Sequence, residues 1–280
     1  MNRSIFNTLI LCGICSISLS ADDAPSPPKR PVPRGTVKLN LRTRVETFKG
    51  SGAWDQAIVT REVPVAEVAI IICDMWDKHW CEGATARCDA LAEKMAPVIK
   101  TARAKGIQII HAPSETMNFY QNTVQRRRMM LAPLVELPKP LEIPDMPLPI
   151  DDSDGGCDSG QKPWHKAWTR QNGKIDIGEF DGISDNGDEV YRFLRQQGIK
   201  YLIVMGVHTN MCVLNRTFAI RQMTRRGIHC MLARDLTDTM YNPQMRPYVS
   251  HDQGTALVIE HIEKYWCPSL SSGDLVAGLP

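Results

Sequence analysis

The sequence predicts a doubly wound α/β fold, a mostly parallel β-sheet with helices on both faces, with an N-terminal β extension ahead of it. Three observations predict it. "VAEVAIIICD" (65–74) and "IKYLIVMG" (199–206) are short β-branched runs with the composition of strands buried on both faces, as parallel strands are. Between such runs lie segments of helical spacing that end on glycine, at Gly106 and Gly198. Strand and helix then alternate to the C-terminus, the pattern of crossover connections.

Taken in order, residues 1–21 have the three parts of a secretory signal: a basic start "MNR", an apolar stretch "SIFNTLILCGICSISL", and small residues for cleavage near Ser20–Ala21. The apolar run is shorter than the roughly 20 residues that span a bilayer. A secreted or periplasmic protein, with no membrane attachment after cleavage, is therefore expected. Residues 22–35, "ADDAPSPPKRPVPRG" with its first residue at the cleavage point, form a Pro-rich leader. Alternation in "TVKLNLRTRVETF" (36–48) predicts a half-buried strand within the β extension, 36–64. The main domain, 65–280, continues with a helix in 88–106 and a strand at 107–112. A Pro/Gly/Asp-rich loop follows over 113–163, a length that within a compact domain marks a functional segment. Further on come a strand in "HKAWTR", a helix in "DNGDEVYRFLRQQG", a strand before Gly206, a helix opening at Cys212, a strand in "IHCMLAR" and a helix in "HDQGTALVIEHIEKYW".

With 33 basic and 31 acidic residues, net charge is +2 and the pI about 8.1. That balance points to no nucleic-acid partner; the short "RRR" at 126–128 reads as a solvated helix face. Beyond the signal lie Cys73, Cys81, Cys88, Cys157, Cys212, Cys230 and Cys267. An odd count in an oxidising compartment leaves at least one thiol free. Cys73 and Cys230 fall in apolar strands; Cys81, Cys88, Cys157 and Cys267 fall at loops or element ends and are the better disulfide partners. Cys212 is the candidate free thiol.

Ligands of doubly wound sheets sit beyond the carboxyl ends of the strands. Asp74, His111 to Ser114, Arg170, Gly206 to Cys212 and Asp235 hold such positions. A helix start stabilises a thiolate, so Cys212 is either an acidified nucleophile or a structural cysteine. Asp74 at the end of its strand is either a general base for that thiol or a helix cap.

"AIIICDMWD" and "GVHTNMCV" resemble the two signature segments of the isochorismatase-like cysteine hydrolases, which include nicotinamidases, N-carbamoylsarcosine amidohydrolases, ureidoacrylate hydrolases and isochorismatases. The resemblance extends from about Val65 to Asp235, outside the 113–163 loop. It implies a hydrolase acting on a small amide or ureido-type C–N bond through a thioester, with an Asp–Lys–Cys triad. Asp74 and Cys212 take the first and last places, the backbone N–H groups of His208 and Cys212 form the oxyanion hole, and a cis peptide falls at Val207–His208. The family lysine has no clear counterpart: its register falls on Arg170, and Lys174 is the alternative. An arginine cannot exchange a proton in this role. The departure admits two other readings, a non-catalytic binding protein on the same fold and an isochorismatase-type ether hydrolysis that needs no nucleophilic cysteine. The metal ligands of nicotinamidases are reduced here to His111, so neither a metal nor another cofactor is expected, and the acidic "DDSDGGCD" (151–158) reads as an ordinary loop rather than a calcium site. Trp76, His79, Trp80, His111, Asn210, Met211 and Tyr241 are the candidate pocket residues. The partners expected are a small-molecule substrate and, since family members are often oligomeric, further copies of the chain.

Overall fold

The computed structural model describes residues 27–280 except residues 29 and 163. The expected signal, and the leader up to residue 26, lie outside the described residues. Among the described residues, no helix is long and apolar enough to cross a membrane.

An eight-stranded sheet forms the centre. Its strands are β1 (Thr36–Glu46), β2 (Trp54–Pro64), β3 (Val68–Cys73), β4 (Gln108–Ala112), β5 (Gly182–Ile183), β6 (Tyr201–Val207), β7 (His229–Asp238) and β8 (Ser269–Leu270), in the order β2-β1-β8-β7-β6-β3-β4-β5. From β8 to β5 all neighbours are parallel; β1 and β2 add an antiparallel hairpin to the β8 edge. This is the mostly parallel α/β sheet that the sequence predicts, with the N-terminal β extension joined to it. β3 is buried at all six residues, which is why its sequence does not alternate. Its side chains divide between two apolar layers: Ala69, Ile71 and Cys73 pack with Phe193, Phe218 and Ile262, whereas Val68, Ile70 and Ile72 pack with Met95, Ile99 and Leu275.

The helices are α1 (Glu82–Ala104), α2 (Met117–Tyr120), α3 (Val124–Met130), α4 (Gly187–Gln196), α5 (Cys212–Asn215), α6 (Ile220–Arg225), α7 (His251–Tyr265) and α8 (Ser272–Gly278). Several boundaries differ from expectation. α1 begins six residues before Cys88, directly after Cys81. The loop after β4 contains α2 and α3. "HKAWTR" forms no strand; the adjacent Gln171 makes only an isolated bridge to Trp76. The helix at Cys212 closes after one turn, and a second begins at Ile220. The basic triplet is not a solvated face: Arg128 is buried and donates to the carbonyls of Glu179 (3.0 Å) and Asp181 (2.6 Å), while Arg126 pairs with Glu189.

Chain order fixes where a crevice opens. From β3 the chain passes to β4 and β5 on one side, then returns to β6 on the other and continues outward to β7 and β8. β3 and β6 therefore flank the switch point, where connections leave in opposite directions. Gly206, at the end of β6, has φ +119, and a Cβ there would lie 2.0 Å from the carbonyl oxygen of Cys73. Glycine alone lets the two strand ends meet this closely.

Candidate active site

Asp74 leaves β3 in a left-handed conformation, φ 47, rare for a residue with a side chain. Its backbone N–H donates to Ala112 O (3.1 Å) on β4, and its carbonyl accepts from Trp76 (2.8 Å). The carboxylate is thereby turned inward and is fully buried. Ser114 N–H donates to Oδ1 at 2.7 Å and Arg216 Nε to Oδ2 at 3.0 Å. The Cys212 thiol is near enough to the same carboxyl group for each to perturb the other's titration. Burial pushes the carboxyl pKa up, opposed by Arg216, by the Ser114 N–H and by the thiol.

Cys212 opens α5 and is half-buried at the floor of a cavity. The preceding turn is built tightly: the Val207–His208 peptide is cis, and Met211 and Val213 both donate to His208 O, at 3.0 and 3.1 Å. The Thr209 and Thr237 hydroxyls meet at 2.7 Å, and Thr237 also donates to Gly206 O at 2.8 Å. Asn210 clasps Met240 through both its amide groups and holds Asp152 at 2.7 Å. The expectation of an acidified sulfur needs correction. Burial and the Asp74 charge push the thiol pKa well up, and Arg216 and the His208 backbone N–H only partly offset them. One helical turn carries little of the dipole that a longer helix would provide. Burial and the neighbouring carboxylate thus favour the protonated thiol.

The cation beside this pair is Arg216, one turn after Cys212, and the sequence reading missed it. The i, i+4 spacing "CVLNR" was the available signal, since it puts the two side chains on one face. Arg216 also lies 3.8 Å from Glu115. Neither residue put forward for the family lysine occupies this place. The Arg170 side chain is more than half exposed, 3.9 Å from Asp77 and over the Phe119 ring; Lys174 binds Asp89 and Glu93 on the outer face of α1.

The cavity measures about 470 Å³, and its lining includes Trp76, His79, Trp80, Trp168, His208, Met211, Cys212 and Arg216. Trp76 and Trp168 stack at 4.1 Å, and the His79 ring lies parallel to Trp168 at 5.8 Å. Burial, with Arg87 and His165 adding repulsion, lowers His79 to about 4; burial and His79 lower His208 to about 3. Both imidazoles are neutral at pH 7. His208 Nε2 and Trp168 Nε1 are buried and have no protein partner. Trp168 and Trp164 come from the stretch read as strand or loop, so their place on the wall was not legible beforehand.

Three expected pocket residues are placed elsewhere. His111 is buried between Gln171 (2.8 Å) and Asp181 (2.9 Å), Asn210 serves as the clasp described above, and Tyr241 sits in the apolar core with its hydroxyl on Met245 O. The acidic loop is spent on internal ties. Asp151 and Asp154 accept from backbone N–H groups within the loop, Asp154 also from Asn242, and Asp158 pairs with Arg87. Asp235, expected at a strand end, lies within β7, which runs on to Asp238, and it holds Ser272 at the start of α8.

With this geometry in view, comparison with known proteins places part of the chain. Residues 179–260 match the isochorismatase domain. That stretch contains Cys212 and Arg216 but begins after Asp74 and the aromatic wall. No curated protein matches the chain. Among solved structures, the chain is similar to a cysteine hydrolase from Pseudomonas syringae pv. phaseolicola 1448A, with 17% identity, 78% of this chain and 94% of that one covered, and a TM-score of 0.49. It is also similar to an isochorismatase from Pseudomonas putida KT2440 (15% identity, 76% and 92% covered, TM-score 0.45) and to an isochorismatase family protein from Burkholderia thailandensis (16%, 76% and 96%, TM-score 0.44).

Proposed function

We propose that the whole chain is an isochorismatase-like cysteine hydrolase, exported from the cell, that cleaves a small amide or ureido-type C–N bond through a thioester on Cys212. The observation that carries this reading is the convergence of the Cys212 thiol and the Arg216 guanidinium on the buried Asp74 carboxylate. The sulfur attacks the substrate carbonyl while its proton passes to Asp74, whose raised pKa suits it to receive one. Arg216 balances the negative charge shared by sulfur and carboxylate; it cannot trade protons, so Asp74 alone carries the proton to the leaving amine. The backbone N–H groups of His208 and Cys212 hold the tetrahedral oxygen. Water then releases the acid from the thioester.

The cavity supports a small, flat substrate. The stacked indoles and the uncharged His79 offer ring faces, and the unpartnered Trp168 Nε1–H and His208 Nε2 offer hydrogen bonds to a polar substituent. Ammonia release from nicotinamide, ureido and carbamoyl compounds tests the reading. The wild type is expected to turn over at least one of them, and Cys212→Ala to lose roughly 10⁴-fold or more of that rate with an unchanged circular-dichroism spectrum. Full activity in that variant would refute the thioester. A second reading, an ether hydrolysis that leaves the sulfur unmodified, is supported by the burial and the Asp74 charge that raise the thiol pKa. Product analysis separates them, since that reaction releases an alcohol and no ammonia.

A further inference from the structure

Cys81 and Cys157 are 76 residues apart in sequence and adjacent in space. Their sulfurs contact the same hydroxyl, Ser159 Oγ, at 3.2 and 3.6 Å. Cys81 is the N-cap of α1, and its sulfur also reaches Asp158 at 3.7 Å. Cys157 follows the positive-φ pair Gly155–Gly156, where a Cβ on Gly156 would lie 2.4 Å from the Met240 carbonyl oxygen; the chain is pressed flat against the site at this point. The other cysteines expected to cross-link are placed elsewhere. Cys88 contacts Met75 and the Trp76 carbonyl, and Cys267 lies in the apolar core with Cys230.

We propose that Cys81 and Cys157 are a dithiol pair that oxidises to a disulfide and thereby ties the start of α1 to the loop forming one side of the cavity. That loop supplies Asp154, Gly155, Lys162 and Trp164 to the cavity lining, so the bond closes a covalent ring around the pocket rim. Residues 158–160 beside the pair are exposed, which lets an external disulfide approach. Cys157 is the attacking thiol. Despite burial, hydrogen bonds from Cys81 and Ser159 lower its pKa, whereas burial and Cys157 raise that of Cys81. With oxidised glutathione, the Cys157 thiolate attacks one glutathione sulfur and expels the other as a thiolate. Cys81, losing its proton, then attacks Cys157 Sγ in the mixed disulfide and expels the second glutathione. The protein gives up two electrons and two protons, and one glutathione disulfide becomes two thiols.

The pairing can be read without any substrate and is independent of the proposed activity. Fully reduced protein is exposed to oxidised glutathione, its free thiols are alkylated under denaturing conditions, and it is digested with trypsin. Cleavage at Arg87 separates Cys81 from Cys88, so mass spectrometry assigns the bond without ambiguity. The expected product is the peptide 79–87 joined to the peptide carrying Cys157, lighter than their sum by two hydrogens. In Cys81→Ser, Cys157 is expected to stop at the glutathione adduct. Recovery of both cysteines alkylated in the wild type, or of Cys157 joined to a different cysteine, would overturn the proposal.

Discussion

The floor and the wall of the cavity are built by different means. The floor, Asp74 with Cys212 and Arg216, stands on β3 and β6, whose ends are fixed by parallel pairing from Val68–Tyr201 to Cys73–Gly206. The wall, Trp168 with Trp164, comes from a segment without helix or strand, held by ties such as Asn172 N to Met75 O (2.7 Å) and Thr169 to Asp77 (2.6 Å). Regular backbone fixes the groups that are proposed to react. Irregular backbone, anchored by side chains, shapes what is admitted. Changes on the floor should therefore act on kcat, and changes on the wall on KM.

Beyond loss of the nucleophile, the largest contrast is between two arginines. Arg216→Ala leaves a buried carboxylate unpaired and is expected to lower kcat/KM by roughly 10²-fold. Arg170→Ala removes an exposed side chain and should change neither rate nor stability beyond about 0.5 kcal/mol. Equal losses in the two variants would erase the distinction between floor and periphery. Next is Trp168→Phe, which keeps a ring against Trp76 but deletes the N–H donor. KM is expected to rise by about tenfold, with kcat little changed, in steady-state kinetics. A fall in kcat alone would place Trp168 with the reacting groups.

The smallest effect concerns both regions. His79, His208 and His261 are lowered to about 4, 3 and 4, mainly by burial, so the unfolded chain binds their protons first as pH falls. Their contribution to stability is present above pH 6.5 and is lost as pH falls toward 4 and 3. His251 runs the other way, since Asp238 raises it against burial, and opposes this trend. Thermal denaturation should therefore give a Tm that declines steadily below pH 6.5; a flat profile to pH 4 would contradict neutral burial of these imidazoles.

The same division explains what could be read in advance. Strands β3 and β6 were legible because burial on both faces imposes a continuous apolar run, and β4 and β7 because each holds a shorter one, Ile109–Ile110 and Cys230–Ala233. Asp74 and Cys212 were legible because strand ends locate them. Arg216 was not: among the basic residues of "NRTFAIRQMTRRG" only the i, i+4 spacing to Cys212 marks it, and its pairing with Asp74 is made only in the folded chain. β2 went unread because an edge strand exposed on most of its residues carries only a weak pattern. The aromatic wall had no periodicity to betray it, since its position follows from contacts with Asp77, Met75 and Tyr120 made only in the folded chain.

The most direct check of the shared proton needs no substrate. Because the Asp74 charge helps to hold the proton on Cys212, Asp74→Asn should lower the pH at which iodoacetamide alkylates that cysteine, followed residue by residue with mass spectrometry. The midpoint for Cys212 is predicted to move down by a pH unit or more, about 1.4 kcal/mol per unit, with Cys81, Cys157, Cys230 and Cys267, which the Asp74 charge does not perturb, unmoved. A midpoint identical to that of the wild type would show that carboxylate and sulfur do not interact, and would contradict the assignment of Asp74 as the base for Cys212.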